Sequence, residues 1–241
     1  MRISVIVPAF NEEKLLGASL AEIKTAAAAF AARGWEFELV VCDNNSTDRT
    51  ADIARAAGAK VVFEPVNQIG RARNGGASIA TGDWFVFVDA DSHPSVELFA
   101  DVAREISSGQ TLAGGVTVQL DEKLFAAGLI TQFWNCSSRL TRFMAGAFIF
   151  VEAAAFRQVG GFSHEFFAAE ELDLSIRLKK LARETKQKIV ILHRHPIKTS
   201  ARKMKLYSGR ELGGFLLRSI FNHRRTIRDR EAAFMWYDGR R

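Results

Sequence analysis

Two carboxylates, Asp89 and Asp91, stand one residue apart directly after Phe85-Val86-Phe87-Val88, a run without charge. Hard oxygen ligands that converge on one point suit Mg2+ or Mn2+, and such a cation needs few protein ligands when diphosphate oxygens complete its shell. Alone, the pair reads equally well as a turn with aspartate caps before the next helix. Asp43 closes another apolar run, Phe37 to Cys42, where a carboxylate can accept a hydrogen bond from a base N–H. The residues after it, Asn44, Asn45, Ser46 and Asp48, are turn and N-cap types. Arg71 and Arg73 open a helix, whose N-terminus already favours anions. Glu170-Glu171-Leu172-Asp173 begins an amphipathic helix with Leu174, Leu178 and Leu181 on its apolar side. Acidic residues there are also ordinary partners of the helix dipole. His193 and His195 end an apolar stretch, from which both could reach a metal.

The elements that must position these groups follow from periodicity. Ile3 to Val7 predicts a buried strand, Glu12 to Phe30 a helix, Phe37 to Cys42 a strand and Asp48 to Ala57 a helix. Lys60 to Glu64 predicts a short strand, Arg71 to Thr81 a helix, Trp84 to Val88 a strand and Val96 to Ser107 a helix. The second half predicts strands at Leu112 to Leu120, Ala147 to Val151 and Lys188 to His193. Helices are expected at Leu124 to Phe143 and Leu172 to Ala182. Alternating strands and crossover helices make an α/β fold with a mostly parallel sheet covered on both faces. Ligands of such sheets bind at the carboxyl ends of the strands. Those ends carry Pro8-Ala9-Phe10-Asn11-Glu12, Asp43 to Asp48, and Asp89-Ala90-Asp91.

The 241 residues suffice for one core, and 48% hydrophobic with 25% charged residues is ordinary for a globular chain. Cys42 and Cys136 lack metal-ligand spacing, and Cys42 reads as a reduced core thiol. No basic-then-apolar leader opens the chain, and the longest apolar run, Met144 to Val151, is far short of the ~20 residues that span a bilayer. A cytoplasmic location is the resulting expectation. The net charge of +6 is uneven: from Lys198 onward there are 12 Lys/Arg against 4 Asp/Glu. Any anionic partner therefore belongs to that end.

Taken in order, these segments resemble the inverting family-two glycosyltransferases of bacterial type, which have the GT-A fold. The resemblance rests on Val5-Ile6-Val7-Pro8-Ala9-Phe10-Asn11-Glu12-Glu13, Val41 to Asp48, Ala72-Arg73-Asn74-Gly75, Asp89-Ala90-Asp91, Gly160-Gly161-Phe162 and Ala169 to Leu174. It covers about residues 3 to 195. It implies a nucleotide-sugar half at about 1–110, an acceptor half at about 111–200 and a basic helical extension at 201–241. It implies that Pro8, Phe10 and Glu12 line the nucleoside pocket, Asp43 reads the base, commonly uracil, and Arg73 lies near the nucleotide. Asp89 would meet ribose or metal, Asp91 would ligate Mn2+ or Mg2+, and His193 or His195 is a possible further ligand. Arg202 or Lys203 could close over the diphosphate. The general base would come from the acidic cluster. The family usually carries Asp at the position held here by Glu171, so Glu170 and Asp173 are rivals for that role.

The implied partners are a nucleotide-sugar donor, favouring UDP, and an acceptor that is a glycan, a lipid-linked group or a small molecule. Leu212, Phe215, Leu216 and Ile220 share one helical face amid arginines. That pattern suits either peripheral contact with an anionic membrane or packing on the core. A nucleotidyltransferase would also use strand-end carboxylates, but it usually has a Gly-rich basic loop after the first strand. A non-catalytic binding module leaves those carboxylates unexplained, and no nucleic-acid module is present.

Overall fold

The computed structural model describes residues 1–122, 125–202 and 228–229. Eight strands form one sheet in the order β3-β2-β1-β4-β7-β6-β8-β5. They are β1 (Arg2–Ala9), β2 (Glu36–Asp43), β3 (Lys60–Phe63), β4 (Trp84–Val88), β5 (Ser92–His93), β6 (Thr111–Leu120), β7 (Phe148–Glu152) and β8 (Lys188–Thr199). The helices are α1 (Leu16–Ala26), α2 (Ala28–Ala31), α3 (Thr50–Ala56), α4 (Ile69–Ile79), α5 (Val96–Ser107), α6 (Phe125–Thr141), α7 (Ala153–Gln158) and α8 (Glu170–Glu184). β1 pairs in parallel with β2 and β4, and β2 with β3. β7 is antiparallel to both β4 and β6, so β6 and its parallel neighbour β8 run the same way as β1. The carboxyl ends of β1, β2, β4, β6 and β8 therefore face one edge.

Alternation along each strand feeds two cores. Val5, Val7, Val86, Val88, Phe148 and Phe150 meet Leu20, Phe30 and Phe99 from α1, α2 and α5 on one face. Ile6, Phe85, Phe87, Ile149 and Val151 meet Phe156, Phe162, Leu174 and Leu178 on the other. Period-two side chains pointing to opposite faces make every central strand apolar throughout, which is why these runs carry no charge. One close approach sets the height of α4. A Cβ on Gly76 would lie 2.4 Å from Ile6 Cγ2, so glycine lets the helix settle directly on β1.

Three expectations need correction. The helix expected from Glu12 begins only at Leu16, because Leu15 and Leu16 donate their N–H groups to the Glu12 carbonyl in a tight turn. The alanine-rich stretch then breaks at Ala27 into α1 and α2. The strand expected to stop at His193 runs on to Thr199, and its ladder to β6 passes from Leu192 directly to Ile197. Pro196 has no N–H to give that ladder, so the chain bulges between these pairs.

Candidate active site

The site begins with two loops that brace each other. The Asn44 N–H donates to the Ala9 carbonyl (2.8 Å). Ser46 Oγ accepts from the Asn11 N–H (3.0 Å), and Asn11 Oδ1 accepts from the Thr47 N–H (2.8 Å). Glu13 N–H donates to Asp48 and Glu12 N–H to Thr50 Oγ1. Asn11 and Asn45 both hold positive φ, a conformation asparagine tolerates better than most residues. Ser46 and Thr47 thus brace the first loop rather than cap α3, whose first N–H is met by Asp48 (2.9 Å). Asp43 is buried, with Oδ1 accepting from the Ser46 N–H (3.1 Å). The turn reading therefore accounts for one oxygen, and among the described residues Oδ2 accepts no hydrogen bond from a side chain or a backbone N–H. Asn44 carries the brace onward by donating to the Glu64 and Val66 carbonyls and accepting from the Gln68 N–H. Pro8 is buried next to the end of β1 and Phe10, just beyond that end, is half-buried.

Asp89 and Asp91 follow β4 in a turn closed by the Ser92 N–H on the Asp89 carbonyl (3.0 Å). Asp91 is buried, its carbonyl accepts from the Ser200 N–H, and Thr199 Oγ1 stands 3.5 Å from Oδ1. The true end of β8, not His193, therefore adjoins the aspartate pair. Beyond it, Arg202 Nη2 donates to both oxygens of the buried Glu12 carboxylate (2.8 and 2.9 Å). Arg202 is thus placed on the loop after β1, and Lys203 lies outside the described residues.

Arg73 is the hub of the second wall. It is 1% exposed, donates to Glu170 Oε1 (2.6 Å), Asp89 Oδ1 (3.0 Å) and the Gly146 carbonyl (2.9 Å), and lies over the Phe162 ring. Burial opposes its charge, but Asp89, Glu170 and Glu171 outweigh burial and hold the guanidinium firmly protonated. The same helix supplies Asn74, whose amide grips the Phe162 N–H and carbonyl (2.9 and 2.8 Å), and Gln68, which grips the His164 and Phe166 carbonyls. These clamps deliver the start of α8, where Ala169 adopts a left-handed conformation just before the acids.

The three acids there are not equivalent. Asp173 is tied to Arg177 (2.6 Å), which also bonds the Val159 carbonyl. Glu170 is buried and paired with Arg73; burial raises its proton affinity against the pull of the arginine. Glu171 is half-buried and in no ion pair among the described residues. Burial first, then the charge of Glu170, pushes it up to about 8. A carboxyl held near neutrality in this way is suited to proton transfer.

The histidines lie elsewhere. His195 Nδ1 pairs with Asp101 of α5 (2.9 Å), and His193 is exposed in the bulged part of β8. The longer strand brings Thr199 and Ser200, rather than either histidine, into hydrogen-bond contact with Asp91. Among the described residues no group of three or more His, Cys, Asp or Glu is arranged to hold a metal. Asp89 and Asp91 offer hard oxygens only, so the donor set fits Mg2+ or Mn2+ solely in company with an oxygen-rich ligand such as a diphosphate. Periodicity did not reveal Gln68, Thr199 or the clamping role of Asn74. For Asn74 the signal was its place between Arg73 and Gly75.

Residues 4–159 match the family described as glycosyl transferase family 2. An uncharacterised glycosyltransferase of Mycobacterium tuberculosis is 34% identical over 113 residues, 47% of either chain. A dolichol-phosphate mannosyltransferase of Pyrococcus furiosus is 32% identical over 123 residues, 48% of this chain and 33% of its own. The chain thus spans less than half the length of these curated relatives. Among solved structures, a mannosyltransferase of Pyrobaculum calidifontis in complex with GDP-Man and Mn2+ superposes with a TM-score of 0.68 at 19% identity, covering 93% of this chain and 60% of that one. The S. aureus protein TarS, residues 1–349, in complex with UDP-GlcNAc gives 0.65 at 22%, covering 98% and 69%. At these identities the structural likeness speaks for the fold, which is the GT-A type expected from the strand-end motifs.

Proposed function

The chain belongs to glycosyl transferase family 2, and from that premise we propose that it moves a glycosyl group from a nucleotide-diphosphate sugar, a UDP-sugar first, to an acceptor hydroxyl with inversion. The observation that carries this reading is the convergence at one sheet edge of Asp89, Asp91 and Asp43 with a raised carboxyl, Glu171, across the Arg73 bridge.

In the proposed reaction the acceptor oxygen attacks the anomeric carbon from the face opposite the diphosphate. The bond to the diphosphate oxygen breaks, and the nucleoside diphosphate leaves with the electron pair. The hydroxyl proton passes to the Glu171 carboxylate, a contribution of roughly 10² to 10⁴ in rate. Asp43 would take a base N–H with the oxygen not used by Ser46. Pro8 and Phe10 would wall the nucleoside, and Glu12 would act with Arg202 at the rim of its pocket. Asp91, with Asp89, would hold Mn2+ or Mg2+, which supplies charge compensation for the departing diphosphate. Arg73 keeps Asp89 and Glu170 from repelling one another, which leaves Glu171 as the carboxylate available for the proton. The neighbouring proteins seen with UDP-GlcNAc and with GDP-Man and Mn2+ support a donor of this class.

The test is a thermal-shift panel of UDP- and GDP-sugars with and without Mn2+, followed by turnover of the best binder. Expected are a Mn2+-dependent shift and release of nucleoside diphosphate. Release of pyrophosphate, or no response to any donor with metal present, overturns the reading.

A further inference from the structure

Helix α6 carries its apolar residues on the side that the fold leaves open. Its inner face is fixed to the sheet: Ala127 and Ser138 are buried, and the Asn135 side chain bonds both the N–H and the carbonyl of Val118 (2.9 and 2.8 Å). On the opposite face Leu129, Phe133 and Leu140 are 54%, 76% and 80% exposed. Spacings of four and seven residues put the three in one row, and Cys136, also exposed, falls within it. Single exposed apolar residues are ordinary; an aligned row of large ones on one helix marks a contact surface.

The charged side chains within α6 and directly after it, Arg139 and Arg142, are both cations. Arg139 and Arg142 are exposed at the end of α6 and join no ion pair among the described residues. Lys179 of α8 reaches the same end, where it donates to the Thr141 carbonyl and sits over the Phe143 ring. Burial lowers the proton affinity of Lys179, and Arg183 and Arg142 lower it further, so these cations crowd one another. Arg139 and Arg142 also border a cavity of about 570 Å³ whose acids are already engaged, Asp101 by Arg104 and His195, Glu105 by Lys188. Apolar row and unmatched cations together ask for a partner that is apolar inside and anionic at its surface. A second copy docking by the same face would bring like charges together, which disfavours self-association.

We propose that α6 lies on an anionic lipid bilayer, with Leu129, Phe133 and Leu140 entering the acyl boundary and Arg139, Arg142 and Lys179 facing headgroup phosphates. The contact is peripheral, since no described helix is long and apolar enough to cross a membrane. It is distinct from any contact made by the basic C-terminal segment, and it does not depend on the transferase reading.

Cys136 gives a readout specific to this helix. Cys42 is fully buried, its thiol pushed up to about 12 by burial and by the charges of Glu64 and Asp43, so an environment-sensitive thiol dye labels Cys136 selectively. The full-length labelled chain is mixed with vesicles of phosphatidylcholine alone or with about a third phosphatidylglycerol. The expected result is a blue shift and quenching by spin-labelled lipid with the anionic vesicles only. Phe133→Ser with Leu140→Ser should raise the lipid concentration at half-binding about tenfold, and Arg139→Glu with Arg142→Glu should do at least as much. Melting temperatures within a few degrees of the parent confirm that both variants fold. Vesicle flotation without a dye shift overturns the proposal in favour of another surface. So does absence of flotation, or a concentration-dependent dimer in sedimentation that the Phe133→Ser, Leu140→Ser variant abolishes.

Discussion

The loops after β1 and β2 and the acid-bearing wall reach the same sheet edge by different physics. After β1 and β2, short polar side chains bond the backbone of the facing loop, as Asn11, Ser46 and Asn44 do. Each such bond is modest, on the order of 1 kcal/mol, and its loss is local. On the other wall a single buried cation, Arg73, joins Asp89 after β4 to Glu170 on α8. Removing it takes the ion-pair partner from the buried Glu170 and one charge-assisted bond from Asp89. One region is a mesh of small interchangeable ties; the other hangs on one charge. The first suits holding a ligand, and the second suits perturbing an acid.

The sharpest separation of the two regions should come from Glu171→Gln. Turnover should fall by about 10² to 10⁴ with the nucleotide-sugar Kd, measured by titration calorimetry, unchanged. A weakened Kd would place Glu171 among the donor-binding groups. Next, Arg73→Met should destabilise the chain by about 3–5 kcal/mol in urea unfolding, and adding Glu170→Gln should recover part of the loss. Additive losses would break the claim that one charge holds that wall. Asn74→Ala, which frees the Phe162 backbone, should cost about 1–3 kcal/mol and lower kcat more than it raises KM. An effect confined to KM would move Asn74 to the donor region.

The smallest expected effect is in the pH profile. A carboxyl raised to about 8 is protonated below that value, so kcat/KM should fall about tenfold per pH unit below it and level off above. Stability should respond with the opposite sign. Because the folded state holds the Glu171 proton more tightly than the ordinary 4.5, its contribution is fully present below 4.5 and is lost as pH rises through about 8. Glu38 behaves the other way: burial would raise it, but bonds from Lys60, Ser4 and Thr81 bring it down to about 2, so its contribution is lost as pH falls. Glu171→Gln should therefore flatten the stability decline between about pH 4.5 and pH 8 and leave the acid-side loss from Glu38 in place, as read from melting temperature against pH.

The two regions also differed in how far the sequence disclosed them. Strand-end loops follow directly from short apolar runs, and Asp43, Asp89 and Asp91 stand at the ends of two of them. The glycosyl transferase assignment and the GT-A fold were foreseen from the same motifs. Contacts made by distant residues left no periodic trace. The pairing of Arg202 with Glu12 joins positions 190 apart, and the β8 bulge that lets the strand continue to Thr199 depends on Pro196 meeting a particular register of β6. The helix expected from Glu12 failed because local apolar spacing cannot reveal that Glu12 itself closes a turn. The expected face of Leu212, Phe215, Leu216 and Ile220 lies outside the described residues.

The contact between Gly76 and Ile6 has a consequence for how the chain can diverge. With no room for a Cβ on one side and a branched methyl on the other, the two positions share a single allotment of volume. Alanine at 76 becomes admissible only once Ile6 has lost its Cγ2 branch, and α4 keeps its height only if the exchange balances. In a two-site library selected for folding, Gly76→Ala should emerge coupled to Ile6→Ala and not to Ile6→Val, which keeps the obstructing methyl, a covariation imposed by steric exclusion at the helix that carries Arg73 and Asn74.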